Sequence, residues 1–345
     1  MSRRVLVIET GGTIASRPGA DGRLAPGRGL APLIEAAAKG LDIALQVEPW
    51  RDPDGAPRAP VDSCDIGPED WIGLARQVEA SSADAVVVLH GTDTLAWTAS
   101  ALAFALPFGH KPVILTGAMR PAGAPRTDAR RNVRLALAAA AGAATALQGE
   151  VAVAFAGALS RGLTTTKIDG RALDAFDSRA LPKLRPSRPH AFEAAAELWR
   201  ASRPGLDRCA PFKGFQADVA VVTLAPGMTA RRIDDMLTPR PAGVVFRLFG
   251  AGSAPSGLEL HRLVDDLARE GVLSVAVSAA PRAVMDFSAY ASAAALAGSQ
   301  LVCGRALTLE AAVVKSMWAA AAYADLGERR QALARDLRGE FGGIA

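Results

Sequence analysis

Short runs of unbroken apolar residues recur along the chain, each halted by glycine and small polar residues. Val5-Leu-Val-Ile8, Val86-Val-Val-Leu89, Val219-Ala-Val-Val-Thr-Leu224 and Val272-Leu-Ser-Val-Ala-Val-Ser278 lack the alternation of a half-solvated strand. Such runs read as strands buried on both faces, as in a parallel sheet. The same reasoning predicts strands over 43–47, 112–115, 150–155 and 243–248. Between them, residues 95–106, free of glycine and proline, form a predicted helix that is apolar and alanine-rich. Residues 68–80 open with Pro68, Glu69 and Asp70, the composition of a helix start. Helices are also predicted over 33–39, from Thr127-Asp128 to about 141, over 231–237 and 256–269, and from about 309 onward. Proline and arginine crowd residues 181–215, interrupted by one predicted helical piece at 191–200. Strands and helices alternate on both sides of this stretch. The pattern predicts an α/β protein of two domains, 1–180 and 216–345, each a largely parallel sheet flanked by helices, with 181–215 as linker.

In a parallel sheet the loops after the strands share one edge, where ligands bind. The first strand ends in Glu9-Thr-Gly-Gly-Thr-Ile-Ala15 and another in His90-Gly-Thr-Asp-Thr94. Neither has the spacing of a dinucleotide or phosphate loop. Ser63-Cys64-Asp65 precedes the predicted helix at 68, Thr116-Gly117-Ala118 follows a strand, and Thr164-Thr-Thr-Lys167 sets three hydroxyls beside one ammonium. Thr13, Ser63, Thr92, Asp93 and Lys167 are therefore expected at one crevice. A threonine attacks an acyl carbon once a base takes its proton. Ser63 and Asp93 suit the carboxylate and ammonium of an amino acid. His90 is expected to shape its turn. The Gly- and Pro-rich stretch 16–30 is expected to be a mobile surface loop serving as a lid.

Composition narrows the classes. The 345 residues are 50% hydrophobic and carry a net charge of +4, with arginine spread thinly, so no nucleic-acid footprint is read. Cys64, Cys209 and Cys303 are far apart and odd in number, which gives neither a disulfide framework nor a zinc spacing. No metal or cofactor is expected. No uninterrupted apolar run reaches the ~18 residues of a membrane span, and Met-Ser-Arg-Arg leads directly into a strand without a signal-peptide core. A cytoplasmic protein is expected.

Thr10-Gly-Gly-Thr-Ile14 and His90-Gly-Thr-Asp-Thr94, in this order and at strand ends, resemble the two signatures of the bacterial-type L-asparaginase family. Pro68-Glu-Asp-Trp71, Thr116-Gly-Ala118, Arg161-Gly162 with Thr165-Thr-Lys167, Gly250-Ala-Gly-Ser-Ala-Pro255 and Leu337-Arg-Gly-Glu340 extend the similarity along the chain. The last three are most similar to the cytoplasmic (type I) branch. The resemblance implies an asparaginase-like fold and hydrolysis of L-asparagine to L-aspartate and ammonia without cofactor, in a homodimer or homotetramer. It implies Thr13 as nucleophile and Thr92, Asp93 and Lys167 as a triad. Ser63, Cys64, Asp93 and Thr92 are implied as substrate contacts, with backbone at Thr92 and Ala118 supporting the amide oxygen. A broader glutaminase-asparaginase and a catalytically weak amino-acid-binding protein are the alternatives. The chain also departs from the family. Leu24 stands where the lid commonly has a tyrosine, and the chain has only two tyrosines, Tyr290 and Tyr323. Tyr290 is expected to replace the lid phenol in activating Thr13. Cys64 replaces a usual Gln or Ser, and no cysteine stands in Ser278-Ala-Ala-Pro281, where the type I branch has its effector site.

Overall fold

A computed structural model of the chain describes residues 2–19, 21–142, 147–185, 197, 199, 202, 210–289 and 293–343. The chain divides into two compact units, Met1–Ser202 and Arg203–Ala345.

The first unit contains, in order, β1 (Arg3–Glu9), β2 (Arg17–Pro18), β3 (Leu24–Ala25), α1 (Ala31–Ala38), β4 (Ile43–Pro49), α2 (Pro68–Ala80), β5 (Ala85–Leu89) and α3 (Leu95–Ala105). It continues with β6 (Val113–Thr116), α4 (Ala129–Gly142), β7 (Val151–Phe155), β8 (Ala158–Arg161), β9 (Thr165–Lys167) and β10 (Phe176–Ser178). Its main sheet has the order β4-β1-β5-β6-β7-β8. All pairings are parallel except β7–β8. Val5, Val7, Val87 and Leu89 join one core cluster with Ile34 of α1 and Val133 of α4. The alternate residues Leu6, Ile8, Val86 and Val88 are equally buried. Burial on both faces is why these strands show no alternation. α3 packs against α2 on one side and against β6 and β7 on another, so ten of its eleven residues are buried and it carries no polar face.

The second unit holds β11 (Val219–Thr223), α5 (Ala230–Met236), β12 (Gly243–Leu248), α6 (Leu260–Arg269), β13 (Leu273–Ser278), α7 (Ala294–Ala297), β14 (Val302–Cys303), α8 (Leu309–Ala322) and α9 (Leu326–Ala334). Its sheet, β11-β12-β13-β14, is parallel throughout. The helix expected over 256–269 is split. Ser256–Leu258 form a 3-10 turn, and Glu259, at φ 49°, breaks the ladder before α6 begins. The end of this unit closes on a buried charge. Lys315 of α8 is fully buried and contacts Glu340, also fully buried, at 2.5 Å. Lys315 also donates to the Leu333 and Arg335 carbonyls at 3.2 and 2.5 Å. Glu340 accepts from the Leu337 and Arg338 amides.

The predicted helix at 191–200 lies outside the described residues except Glu197 and Trp199. The stretch 16–30, expected to be a mobile lid loop, carries a short hairpin, with β2 and β3 antiparallel and Arg17 donating to the Arg28 carbonyl at 3.2 Å. Leu24 on this hairpin is 54% exposed. No described helix is long and apolar enough to cross a membrane.

Candidate functional site

β1 and β5 pair in parallel register from Val5↔Ala85 to Glu9↔Leu89, so they end at one level and their turns leave side by side. The Thr10 amide and hydroxyl both donate to the Leu89 carbonyl, at 3.0 and 3.1 Å. Beyond that point the turns touch backbone to backbone. Gly12 sits at φ +73°, and a methyl group there would lie 2.2 Å from Gly91 Cα. A methyl group on Gly91 would lie 2.6 Å from both Cβ and Oγ of Ser63. Contact this close leaves no room for a Cβ at either glycine. Segment 61–63 is held by Gly12 N–H to Val61 O at 2.9 Å and Val61 N–H to Thr10 O at 3.0 Å. The Thr94 hydroxyl donates to the Ser63 carbonyl at 2.5 Å. Ser63, Gly91 and Gly12 thus form one stack, and Thr13 follows directly as the first residue of a 3-10 turn, Thr13–Ala15.

The turn after β5 is shaped from behind by His90, which is fully buried. Its Nδ1 lies 2.7 Å from the Gly91 carbonyl and its Nε2 lies 2.9 Å from the Thr98 hydroxyl. The Trp71 indole N–H donates to the same Thr98 oxygen at 3.1 Å. A carbonyl only accepts, so hydrogen-bond logic assigns the proton to Nδ1 and makes Nε2 the acceptor. Burial pushes the imidazole pKa down to about 4. An unfolded histidine titrates near 6.5, so as pH drops below that value the unfolded chain takes up a proton that the folded chain refuses. Stability therefore falls between pH 6.5 and 4, and this contribution is exhausted below the folded pKa. The loss is about 3 kcal/mol. Urea unfolding at pH 7 and pH 4 checks this, because His90→Gln is expected to lack that part of the acid loss. An equal loss in the variant would remove His90 as its source.

Thr92 is buried at 5% exposure, whereas the Asp93 side chain is 68% exposed. Lys167 of β9 reaches both: Nζ donates to Thr92 Oγ1 at 2.9 Å and meets Asp93 Oδ1 at 2.6 Å. Its strand follows the Gly162–Thr164 3-10 turn. There Thr165 Oγ1 donates to the Arg161 carbonyl at 2.7 Å and Thr164 shares a 2.8 Å hydrogen bond with Ser178. Arg161 is anchored in turn by a buried pair with Glu150 at 2.7 Å. Thr164 and Thr165 are therefore scaffold for the strand that carries Lys167.

The third turn, after β6, brings in Ala118, which is fully buried. Asp128 accepts from the Met119 and Arg120 amides at 3.0 and 3.1 Å. Asn132 donates to the Gly117 carbonyl at 3.0 Å and accepts from the Ala156 amide at 3.1 Å. These two residues hold the turn, and reading the sequence credits Asp128 only with capping a helix. The missed signal is their spacing of four, which puts both side chains on one helix face.

Thr92, Asp93 and Lys167 are thus in direct contact. Ser63 packs under Gly91, and Thr13 stands on the adjoining turn, half-buried and with no hydrogen bond from its hydroxyl among the described residues. Cys64 is exposed. Desolvation, then the neighbouring Asp62 and Asp65, push its thiol pKa upward, which keeps it protonated and slow to react. Tyr290 and Cys209 lie outside the described residues. Among the described residues no group of three His, Cys, Asp or Glu side chains is placed to hold a metal ion.

Comparisons with known proteins identify the family. The family model described as "Asparaginase, N-terminal" matches residues 4–197, and "Glutaminase/Asparaginase C-terminal domain" matches 218–333. L-asparaginase 1 of Escherichia coli K12 is 32% identical over 81% of this chain and 82% of its own length. The 60 kDa lysophospholipase of Mus musculus is 35% identical over 98% of this chain, which spans 62% of that longer protein. The solved thermostable L-asparaginase from Thermococcus kodakarensis superposes with a TM-score of 0.79 at 28% identity, covering 98% of both chains. The two family models span most of the chain and a relative at 32% identity is covered over four-fifths of its length, so this chain belongs to the asparaginase family of hydrolases.

Proposed function

We propose that the chain hydrolyses the side-chain amide of L-asparagine to L-aspartate and ammonia. The observation that carries this reading is Lys167, whose ammonium touches the Thr92 hydroxyl and the Asp93 carboxylate on a turn fused by backbone contact to that of Thr13. In this reading Thr13 Oγ attacks the amide carbon, the C–N bond breaks, and its proton leaves with ammonia. Water then cleaves the acyl-Thr13 ester and restores the hydroxyl. Lys167 fixes and polarises Thr92. Asp93, mostly exposed, is available to a substrate ammonium, and Ser63 and Cys64 lie toward the substrate carboxylate. Backbone at Thr92 and Ala118 supports the developing oxyanion, commonly a large contribution in acyl transfer. No cofactor enters the scheme. The same reading has the protein act in the cytoplasm, as a homodimer or homotetramer.

Ammonia release from L-Asn, D-Asn and L-Gln tests the proposal. L-Asn is expected to be the preferred substrate. No release from any of the three, with the protein folded, would sink the enzymatic reading and leave the amino-acid-binding alternative. The description of the C-terminal family domain favours a second reading, a glutaminase-asparaginase, and comparable rates on L-Gln and L-Asn would establish it. Tyr290→Phe tests the assigned activator. A kcat loss of about a hundredfold is expected, and a near-full kcat would remove Tyr290 from the scheme.

A further inference from the structure

A cavity of about 430 Å³ lies between the β2–β3 hairpin, the start of α1 and the loop at 121–124, and has no part in the chemistry above. Thr13 is not among its walls, but Ile14, Ala15 and Ser16, which follow it, are. Ile14, Leu24, Leu30, Leu33, Pro121 and Ala124 make most of the lining apolar. The volume is in the range of small-molecule sites. Arg17 and Arg28 also line the cavity, and both are exposed residues. Arg17 Nη2 lies against Gly29, 3.2 Å from where a Cβ would stand, and donates to the Arg28 carbonyl. The Arg28 guanidinium donates to the Arg58 carbonyl at 2.5 Å. Neither guanidinium pairs with a carboxylate among the described residues. Two acids meet this segment: Glu9 accepts from the Leu30 amide at 3.2 Å, and Asp21 accepts from the Arg23 amide at 3.0 Å.

We propose that this cavity binds a small amphipathic monocarboxylate, its chain against the apolar walls and its carboxylate at Arg17 and Arg28. Apolar walls gain from each methylene removed from water. The guanidinium fork matches a carboxylate and has spare donors to offer it. A free amino acid is a poor occupant, because no Asp or Glu lines the cavity to receive its ammonium. The bound molecule would bridge the hairpin and the 121–124 loop, and so set the position of the segment that continues from Thr13.

Calorimetric titration of the full chain with octanoate tests the site. Octanoate is expected to bind at least about tenfold more tightly than octanol, which shares the chain and lacks the charge. Joint replacement Arg17→Gln/Arg28→Gln is expected to weaken octanoate about tenfold or more. Both positions are exposed, so the fold should persist. Ala124→Phe, which fills the cavity, is expected to weaken octanoate and octanol alike. Equal affinity for octanoate and octanol, unchanged affinity in the double variant, or no octanoate binding in the millimolar range would each overturn the proposal. The titration does not depend on turnover. Binding by a protein that releases no ammonia keeps this site and fails the amidohydrolase reading, and the converse result does the opposite.

Discussion

Thr13→Ala is expected to lower kcat for ammonia release from L-asparagine by about a thousandfold or more, with KM moved far less. The substitution removes a methyl group and a hydroxyl that has no partner among the described residues, and an alanine is accommodated in the same 3-10 turn. Little folding energy is at stake, so a melting temperature near that of the parent is the matching control. Lys167→Met should cost about a hundredfold to a thousandfold, because it leaves Thr92 without its 2.9 Å donor and Asp93 without its cation. If the two residues serve one reaction step, the double variant should be scarcely slower than Thr13→Ala. A steady-state comparison of the three proteins checks this. Thr13→Ala with near-parental kcat would remove Thr13 as nucleophile, and multiplicative losses would separate the two residues mechanistically.

The largest expected effect on stability lies in the other unit. Glu340→Gln is expected to destabilise the fold by about 3–5 kcal/mol, because it strands the Lys315 charge where no water reaches it. Burial opposes ionisation of Glu340, but the Lys315 charge outweighs it and holds the carboxyl down at about 2. Burial, and then the Glu340 charge, push the Asp336 carboxyl well above the usual carboxylate range and favour its protonated form. Asp336→Asn should therefore change stability by less than about 1 kcal/mol at pH 7, since an amide also donates. Lys315→Met/Glu340→Met, which removes both charges, should recover most of the loss. Denaturant midpoints for these variants measure the effects. A Glu340→Gln midpoint equal to that of the parent would mean that Lys315 finds another partner or loses its proton.

The elements that position the site were the most legible part of the sequence. β1 and β5 announce themselves because burial on both faces forces unbroken apolar runs, and the glycines that end them are needed for the contact between turns. The β9–β10 hairpin and the antiparallel β8 carry no such signal: each strand is only three or four residues long and none is an unbroken apolar run, and Thr165 leans on Arg161, whose partner Glu150 is eleven positions away. The Glu259 break is equally silent, since a left-handed glutamate looks like any helical one. At the site, Thr92, Asp93 and Lys167 could be brought together because strand-end loops share one edge, and named as a triad by the family resemblance. Asp128 and Asn132 could not, because their work on the Gly117–Arg120 turn depends on where α4 lies relative to β6. Lys315 stands in an alanine-rich helix and gives no hint that its countercharge arrives 25 residues later.

The contact between Gly12 and Gly91 also bears on engineering. With no side chain between them, neither turn can be exchanged for a bulkier loop while its neighbour stays in place. Libraries that randomise one turn alone should return few folded members with altered substrate choice. Grafting 10–13 and 90–94 together, with Ser63 as the third member of the stack, is the smallest transplant that preserves the fit.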